Sequence, residues 1–442
     1  MMSKHYLEQA LATERWINSH KRTSESGTVW SHNSAKPDIV SHSLYNGTAG
    51  TLIYYLELYA ATGESDYLEI AVSAADDLIQ YVDKKETAAC AMYTGWPGYV
   101  FALGEVARAS HETRFSDAAA LALNKLKASS TSLGCGIGWV EKMPFTEIHG
   151  HTGNREIYDA SVGAAGAGFV MLYAANIGLH DQALAWATAV GDRLLEVAYQ
   201  TPGGLNWALM SDMPFKWTPS NFAHGAAGVG AFLAQLFNAT SDPKYLEAAQ
   251  KAADHLIDIS KPVGDGLLIP HFTESAGADR YYLGACHGPA GTSRLFHQLA
   301  WMTNEKKYQD WNDSALKGLL AMGAPEERSA GYWNNYGQCC GDAGVGDYAL
   351  QLFHTSQKQT YLELAKRVAK SLEAKATEHG TSRCWDHAEH RERPEFLQSQ
   401  TGYMQGAAGI GSFLLHLHTT LIGQPVKIAF PDLPYPSFGM PY

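Results

Sequence analysis

Three cysteines, Cys286, Cys339 and Cys340, stand one or two residues before a glycine that opens a Gly-x-x-Gly element, and histidines precede equivalent glycines at His224 and His287. Thiolate sulfur and imidazole nitrogen are preferred ligands of Zn2+, and a catalytic zinc usually takes three protein ligands and keeps a fourth position for water or substrate. A free thiol has a pKa near 8.5, and zinc coordination deprotonates it, so such a site would produce a sulfur nucleophile at neutral pH. The plainer alternative is that these cysteines are small buried side chains beside the glycines, since free cysteine is among the most buried residue types. The same alternative holds for Cys90, Cys135 and Cys384, which follow no such spacing.

The glycines belong to a repeat. Seven Gly-x-x-Gly elements begin at Gly47, Gly95, Gly163, Gly225, Gly288, Gly341 and Gly406, between 48 and 68 residues apart. Each is followed by a segment apolar nearly all round, such as Val229, Ala231, Phe232, Leu233, Leu236 and Phe237, which predicts a helix buried on most sides. After several copies a second, amphipathic pattern opens at Tyr67, Tyr245 or Tyr361. In the second of these Tyr245, Ala248, Ala249, Ala252 and Leu256 share one face, opposite Glu247, Gln250, Lys251 and Asp254. Alternating buried and amphipathic helices fit two concentric rings better than an open solenoid. The glycines would let seven chains converge on a narrow axis and adopt backbone angles that other residues avoid. The fold expected is all-α, an (α/α)₇ double toroid spanning residues 1–442 as one domain.

In a toroid, matching repeat positions form a circle. The residue before each first glycine is Asn46, Thr94, Val162, His224, His287, Cys340 and Gln405, and one step earlier stand Tyr45, Tyr93, Ser161, Ala223, Cys286, Cys339 and Met404. Repeats four to six therefore bring His224, Cys286, His287, Cys339 and Cys340 to one end of adjacent inner helices. That convergence favours metal over packing.

Hydrophobic residues make up 45% of the 442 and charged residues 18%, which suits a large folded core and excludes disorder. A formal charge of −12 with no basic cluster argues against nucleic acid or an anionic membrane as partner. No stretch approaches the roughly 18–20 apolar residues that cross a bilayer; the best, residues 413–422, contains His416 and His418. The first twenty residues carry Lys4, Glu8, Glu14 and Arg15 and read as a leading helix rather than a signal peptide. A cytoplasmic protein with free thiols is expected, without membrane insertion.

Cys286-His-Gly-Pro-Ala-Gly and Cys339-Cys-Gly-Asp-Ala-Gly resemble the fifth- and sixth-repeat zinc motifs of the lanthionine synthetase C-like (LanC-like) family, and Phe222-Ala-His-Gly-Ala-Ala-Gly resembles its fourth-repeat His-Gly motif. The resemblance covers essentially the whole chain, with all seven elements in order. It implies the double toroid, with one zinc ion held at one end of the inner barrel by Cys286, Cys339 and Cys340. Most stand-alone members have histidine where Cys340 stands, so this chain is similar to the Cys-Cys-Gly subgroup found in some fused synthetases. The family's tryptophan before the fifth-repeat cysteine is replaced by Ala285.

What the resemblance implies about activity is the addition of a zinc-bound thiol to dehydroalanine or dehydrobutyrine, closing a lanthionine-type thioether ring in a peptide. His224 corresponds to the family's active-site histidine and Asp159, in Ile157-Tyr-Asp-Ala-Ser-Val-Gly, to its third-repeat aspartate. His224 would act as acid or base on the enolate or thiol, with Asp159 orienting it; helix capping is the alternative for each. The family's arginine upstream of the fifth-repeat cysteine has no aligned partner, and Arg280 is the nearest substitute. His287 as a fourth ligand would close the site. The cluster His387, His390 and Arg391 is either a solvated rim or a substrate contact, and His149 and His151 read as surface residues. The expected partners are a dehydrated precursor peptide or a thiol substrate, and a separate dehydratase to supply the former. Alternatives are addition of glutathione to dehydroamino acids in proteins, a zinc-stabilised peptide-binding module without turnover, and a toroidal glycosidase or epimerase, which would work through carboxylates or histidine pairs rather than thiolates.

Overall fold

Each of the seven glycines that open a Gly-x-x-Gly element is the N-cap of a helix. The computed structural model describes residues 2–33, 36–142, 153–213, 220–273 and 278–433; His149 and His151 lie outside them. Among the described residues there are fourteen helices, α1 (Met2–Ser19), α2 (Thr48–Thr62), α3 (Ser65–Lys84), α4 (Trp96–Ser110), α5 (Thr113–Ala128), α6 (Ala164–Asn176), α7 (Ala183–Val197), α8 (Ala226–Thr240), α9 (Pro243–Ile259), α10 (Pro289–Thr303), α11 (Lys306–Ala321), α12 (Asp342–Ser356), α13 (Gln359–Ala374) and α14 (Ala407–Leu421). The even-numbered helices are the buried set: α8 is buried without a break from Ala226 to Ala234. Its partner α9 buries Tyr245, Ala248, Ala249, Ala252, Ala253, His255 and Leu256 along one stripe, as a sheathing helix should.

The even helices pack in order, α2 on α4, α6, α8, α10, α12 and α14, and α14 returns to α2, so the inner ring is closed. Each carries the following odd helix on its outside. The seventh inner helix is followed by no helix among the described residues, and its cover comes from the other end of the chain: α1 packs along α14. Tyr54 of α2 donates to the carbonyl of Ala10 at 2.6 Å and His418 of α14 pairs with that of Ser3 at 2.8 Å, tying the leading helix to both flanks of the seam. The fold is thus the α/α toroid expected. No helix among the described residues is long and apolar enough to cross a membrane; residues 413–422 lie in or just beyond α14.

The glycines act through space rather than through unusual backbone angles. At the seven N-caps φ lies between −143° and −122°, a region open to any residue. A Cβ on the second glycine of an element would instead strike the carbonyl six residues back and the neighbouring repeat. At Gly228 it would come within 2.1 Å of the Phe222 oxygen and 2.6 Å of Ala160 Cβ, and at Gly291 within 1.9 Å of the Ala285 oxygen and 2.8 Å of Phe222 Cβ.

The all-α expectation left out short antiparallel hairpins and a three-stranded antiparallel sheet of Lys21–Thr23, Thr28–Asn33 and Lys36–Val40. Three-residue strands pair at Thr131–Leu133 with Gly136–Gly138, Tyr199–Thr201 with Gly204–Asn206, Lys261–Val263 with Gly266–Leu268, and Thr377–His379 with Ser382–Cys384. Three of them end in a buried tryptophan whose indole N–H donates back to the last turn of the preceding outer helix: Trp139 to Leu126 O at 3.2 Å, Trp207 to Leu194 O at 2.7 Å and Trp385 to Leu372 O at 2.8 Å. Each bond falls on a carbonyl of the helix's last turn, where Leu126 O also accepts from Ser129 Oγ and Leu372 O from Lys375 N. After α14 the chain buries Val426, Ile428, Phe430 and Asp432, the last three beside a cavity in the hollow of the inner barrel.

Candidate metal centre

The loops before the inner helices join edge to edge in a second, smaller ring made of backbone hydrogen bonds. Tyr45 N donates to Tyr93 O, Met92 N to Ser161 O, Ser161 N to Ala223 O, Ala223 N to Cys286 O, Cys286 N to Cys339 O, Cys339 N to Met404 O and Met404 N to Tyr45 O, at 2.8–3.1 Å. Two of the three cysteines are members of this circuit, and Cys340 follows the second. A tight circle of main chain fixes where each Cβ starts, so sulfurs on neighbouring members must meet.

They do. Cys286 Sγ lies 3.4 Å from Cys340 Sγ, and Cys340 Sγ lies 3.5 Å from Cys339 Sγ. All three ligand atoms fall within 4.8 Å of one another, and among the described residues no other group of three or more His, Cys, Asp or Glu does so. His287 does not join them. Ligands about 2.3 Å from a tetrahedral zinc stand about 3.8 Å apart, so the spacing and donor chemistry suit a metal ion. Sulfurs this close cannot all be ionised unless a cation shares the space. Accordingly the Cys339 thiol is drawn well below the ordinary cysteine range by hydrogen bonds from Cys286 and Cys340, with Tyr45 and His224 adding to the effect. Cys286 is pushed up first by its hydrogen bond with Cys339, and Cys340 by its hydrogen bonds with Cys286 and Cys339, with burial adding to both.

Around the thiols the repeat supplies a polar layer. Gln405 Nε2 lies 3.8 Å from Cys340 Sγ and 2.9 Å from the Tyr45 hydroxyl, while its carbonyl accepts from Asn335 Nδ2 at 2.6 Å. Tyr45 and Gln405 occupy the matched positions of repeats one and seven, which was the signal that could have marked them. Next to the thiols is an aromatic and imidazole wall: His287 stands 5.2 Å from His224 and 4.8 Å from His271, ring to ring, and Tyr282 stands 4.7 Å from His271 and 6.0 Å from Trp333. Burial, then the charges of neighbouring groups, brings His271 down to about 3 and His287 well below the usual imidazole range, so both are neutral. His271, Tyr282 and Trp333 lie in irregular loops without periodicity, and the sequence reading passed over them.

His224 and Asp159 are brought together. Nδ1 of His224 is 2.9 Å from Oδ2 of Asp159, and Oδ1 of Asp159 accepts the N–H groups of Ser161 and Val162 at 2.8 and 2.6 Å. Neither side chain caps a helix; Gly163 and Gly225 do, without side-chain bonds. Arg280 sits on the loop beside the wall, its carbonyl accepting from His271 N at 2.8 Å; burial, then the charges of His224 and Arg280, lowers His271, while burial raises the Tyr282 phenol against the opposing charges of Arg391 and Arg280. The cluster before repeat seven divides: His390 is exposed, His387 is fully buried against Tyr336, and Arg391 bonds to Tyr282 at the wall. A solvated rim therefore describes His390 alone. Cys90 and Cys384 are buried and Cys135 is exposed, all away from the trio.

Residues 38–425 match the family described as "Lanthionine synthetase C-like protein". The chain belongs to this family. Nisin cyclase is similar in structure to this LanC-like chain, with 14% identity, 87% of this chain and 90% of that one covered, and a TM-score of 0.61. A GH76 α-mannanase from Bacteroides thetaiotaomicron (12% identity, 95% and 97% covered, TM-score 0.53) and an unsaturated glucuronyl hydrolase from Bacillus sp. GL1 (14%, 95% and 97%, 0.51) are also similar. At these identities the likeness shows the shared toroid. A sequence search among curated proteins found no match.

Proposed function

We propose that this LanC-like chain holds one Zn2+ on Cys286, Cys339 and Cys340 and adds a thiol to dehydroalanine or dehydrobutyrine, forming thioether rings in a dehydrated peptide. The observation that carries this reading is the approach of three thiols from two adjacent repeats to within 4.8 Å of one another beside a histidine–aspartate pair. Bound zinc supplies the charge that keeps a substrate thiol ionised at neutral pH.

The chain's own residues do the rest. The substrate sulfur forms a bond to Cβ of the dehydroamino acid, the π electrons pass to Cα and its carbonyl, and Cα then takes a proton. His224 delivers that proton, having received it from the thiol, and Asp159 holds the imidazole in one orientation. The wall of His271, Tyr282, His287 and Trp333 keeps water from the reacting carbon, and Arg280 lends positive charge to its loop. A peptide is the substrate and a separate dehydratase its supplier.

The test is to incubate zinc-loaded protein with a peptide containing one cysteine and one dehydroalanine. Cyclisation removes the free thiol without changing mass, so the product resists alkylation and fragments as a ring. A rate no faster than in buffer, with small thiols as well as with peptides, would leave only a zinc-stabilised binding module.

A further inference from the structure

Beyond α14 the chain runs back into the barrel, and its side chains are received there in the way a peptide is received by a binding site. Val426, Ile428 and Phe430 are buried, with Lys427 and Ala429 less so. The Phe430 ring lies 4.9 Å from Phe101, 4.8 Å from Tyr403 and 6.3 Å from Tyr93, an aromatic seat formed by α4 and two ring loops. Two residues on, Asp432 is 1% exposed; its Oδ2 accepts from the Tyr93 hydroxyl at 2.6 Å and from the guanidinium of Arg294 on α10. That guanidinium lies 4.5 Å from the centre of the Phe222 ring, and its side chain is 11% exposed.

A buried guanidinium in the hollow of a barrel requires a carboxylate partner, because an uncompensated charge there is strongly destabilising. The partner comes from a segment whose end turns, Leu433 N donating to Phe430 O at 2.9 Å, and which offers the Phe430 ring to an apolar seat and the Asp432 carboxylate to a charge clamp, two anchor side chains of the kind a peptide ligand supplies. The cavity beside it is walled by Phe430, Asp432 and Arg294 and equally by Cys286, Ala285 and Cys339. An occupant of the clamp therefore shares a chamber with residues that carry the thiols.

We propose that the barrel interior is a peptide-binding site for a segment that presents an aromatic residue two positions before a carboxylate across a turn, and that residues 425–433 are its tethered ligand. The tether gives the segment a high effective concentration, so a free peptide of the same kind is excluded until the tail is released. This rests on the barrel geometry and not on the thiol chemistry, and its test reads binding rather than turnover.

A protease site inserted between Gly423 and Gln424, where the chain is exposed, leaves every docking side chain in place. After cleavage, a fluorescent peptide of residues 425–433 is expected to exchange into the folded, zinc-loaded protein. The same peptide carrying Asp432→Asn is expected to bind at least about tenfold more weakly, as for loss of a charge-assisted hydrogen bond. Uncut protein is expected to take up neither. In the uncut full chain, Asp432→Asn weakens the tail's hold and admits the unmodified peptide, and adding Arg294→Met abolishes that uptake. Equal uptake by the uncut parent, no uptake by cleaved protein that is still folded, or unfolding of the barrel on cleavage would each overturn the proposal, the last by showing the segment to be core.

Discussion

His224 Nδ1 and Asp159 Oδ2 are 2.9 Å apart, although 65 residues separate them in the chain. They meet because the loops before α6 and α8 are neighbours in the backbone circuit, where Ser161 N donates to Ala223 O at 3.1 Å. Asp159 is pinned by two backbone N–H groups on its other oxygen, so it holds the imidazole from a fixed point. In the proposed mechanism, a proton on Nδ1 donated to Asp159 leaves the acid–base work to Nε2.

Asp159→Asn preserves an oxygen for the Ser161 and Val162 N–H groups but presents His224 with a donor amide in place of an acceptor. The loop should survive and the imidazole should change tautomer. Thioether formation is expected to slow by up to about 10⁴-fold, as when the aspartate that orients a catalytic histidine becomes asparagine and fixes the wrong tautomer, with little loss of thermal stability. A large fall in stability with unchanged turnover would make Asp159 a loop anchor only.

His224→Ala is expected to keep zinc and fold while slowing thiol addition by about 10²–10⁴-fold, the range for a lost acid–base group. Metal analysis and a single-turnover rate on the same sample check it. Loss of zinc from this variant would make His224 a ligand.

Cys340→His probes the charge at the metal. Three thiolates on Zn2+ leave one net negative charge before substrate binds, whereas two thiolates and a neutral histidine leave none. With the third thiolate, a bound thiol is the stronger nucleophile and the weaker acid. The variant should retain zinc, lower the apparent pKa for thiolate formation in a pH–rate profile, and slow addition of the bound thiol. Matching profiles would take Cys340 out of the ligand set.

His416 on α14 gives a pH test of the barrel itself. Its Nδ1 lies 2.8 Å from Asp347 and its Nε2 3.1 Å from Glu57. Burial opposes its charge, but the two carboxylates outweigh burial and raise its pKa to about 10. A folded pKa above the unfolded value of about 6.5 means stabilisation that is complete below pH about 6.5 and is lost as pH rises towards 10. Denaturant midpoints should therefore fall for the parent across this range more than for His416→Gln. Parallel curves would show that the imidazole is neutral in the folded state.

The candidate site positions are legible in the sequence because they repeat. Seven glycines mark seven helix starts, and counting back from them puts Cys286, Cys339, Cys340 and His224 on one circle. What the repeat does not encode was hidden. The outward role of α1 depends on α14, some 400 residues away, and an amphipathic stripe does not name its partner. The strands of the four hairpins are three residues long, too short for a period of two to show. Tyr45 and Gln405 sat at matched positions, yet their hydrogen bonds exist only once the first and seventh repeats meet. His271, Tyr282 and Trp333 lie in loops whose course is set by tertiary packing, and the tail's docking depends on a cavity that only the closed ring creates. The glycines were read correctly as sites of close approach and wrongly as sites of unusual angle, because sequence does not distinguish the two.

The most direct test of the central claim is the zinc content of the purified protein, prepared without chelator, beside Cys286→Ala and Cys339→Ala. The three-thiolate site predicts one zinc per chain in the parent and a large loss in either variant, since two thiolates hold the ion far less tightly than three. A stoichiometry near zero in the parent, or full zinc in both variants, would contradict it.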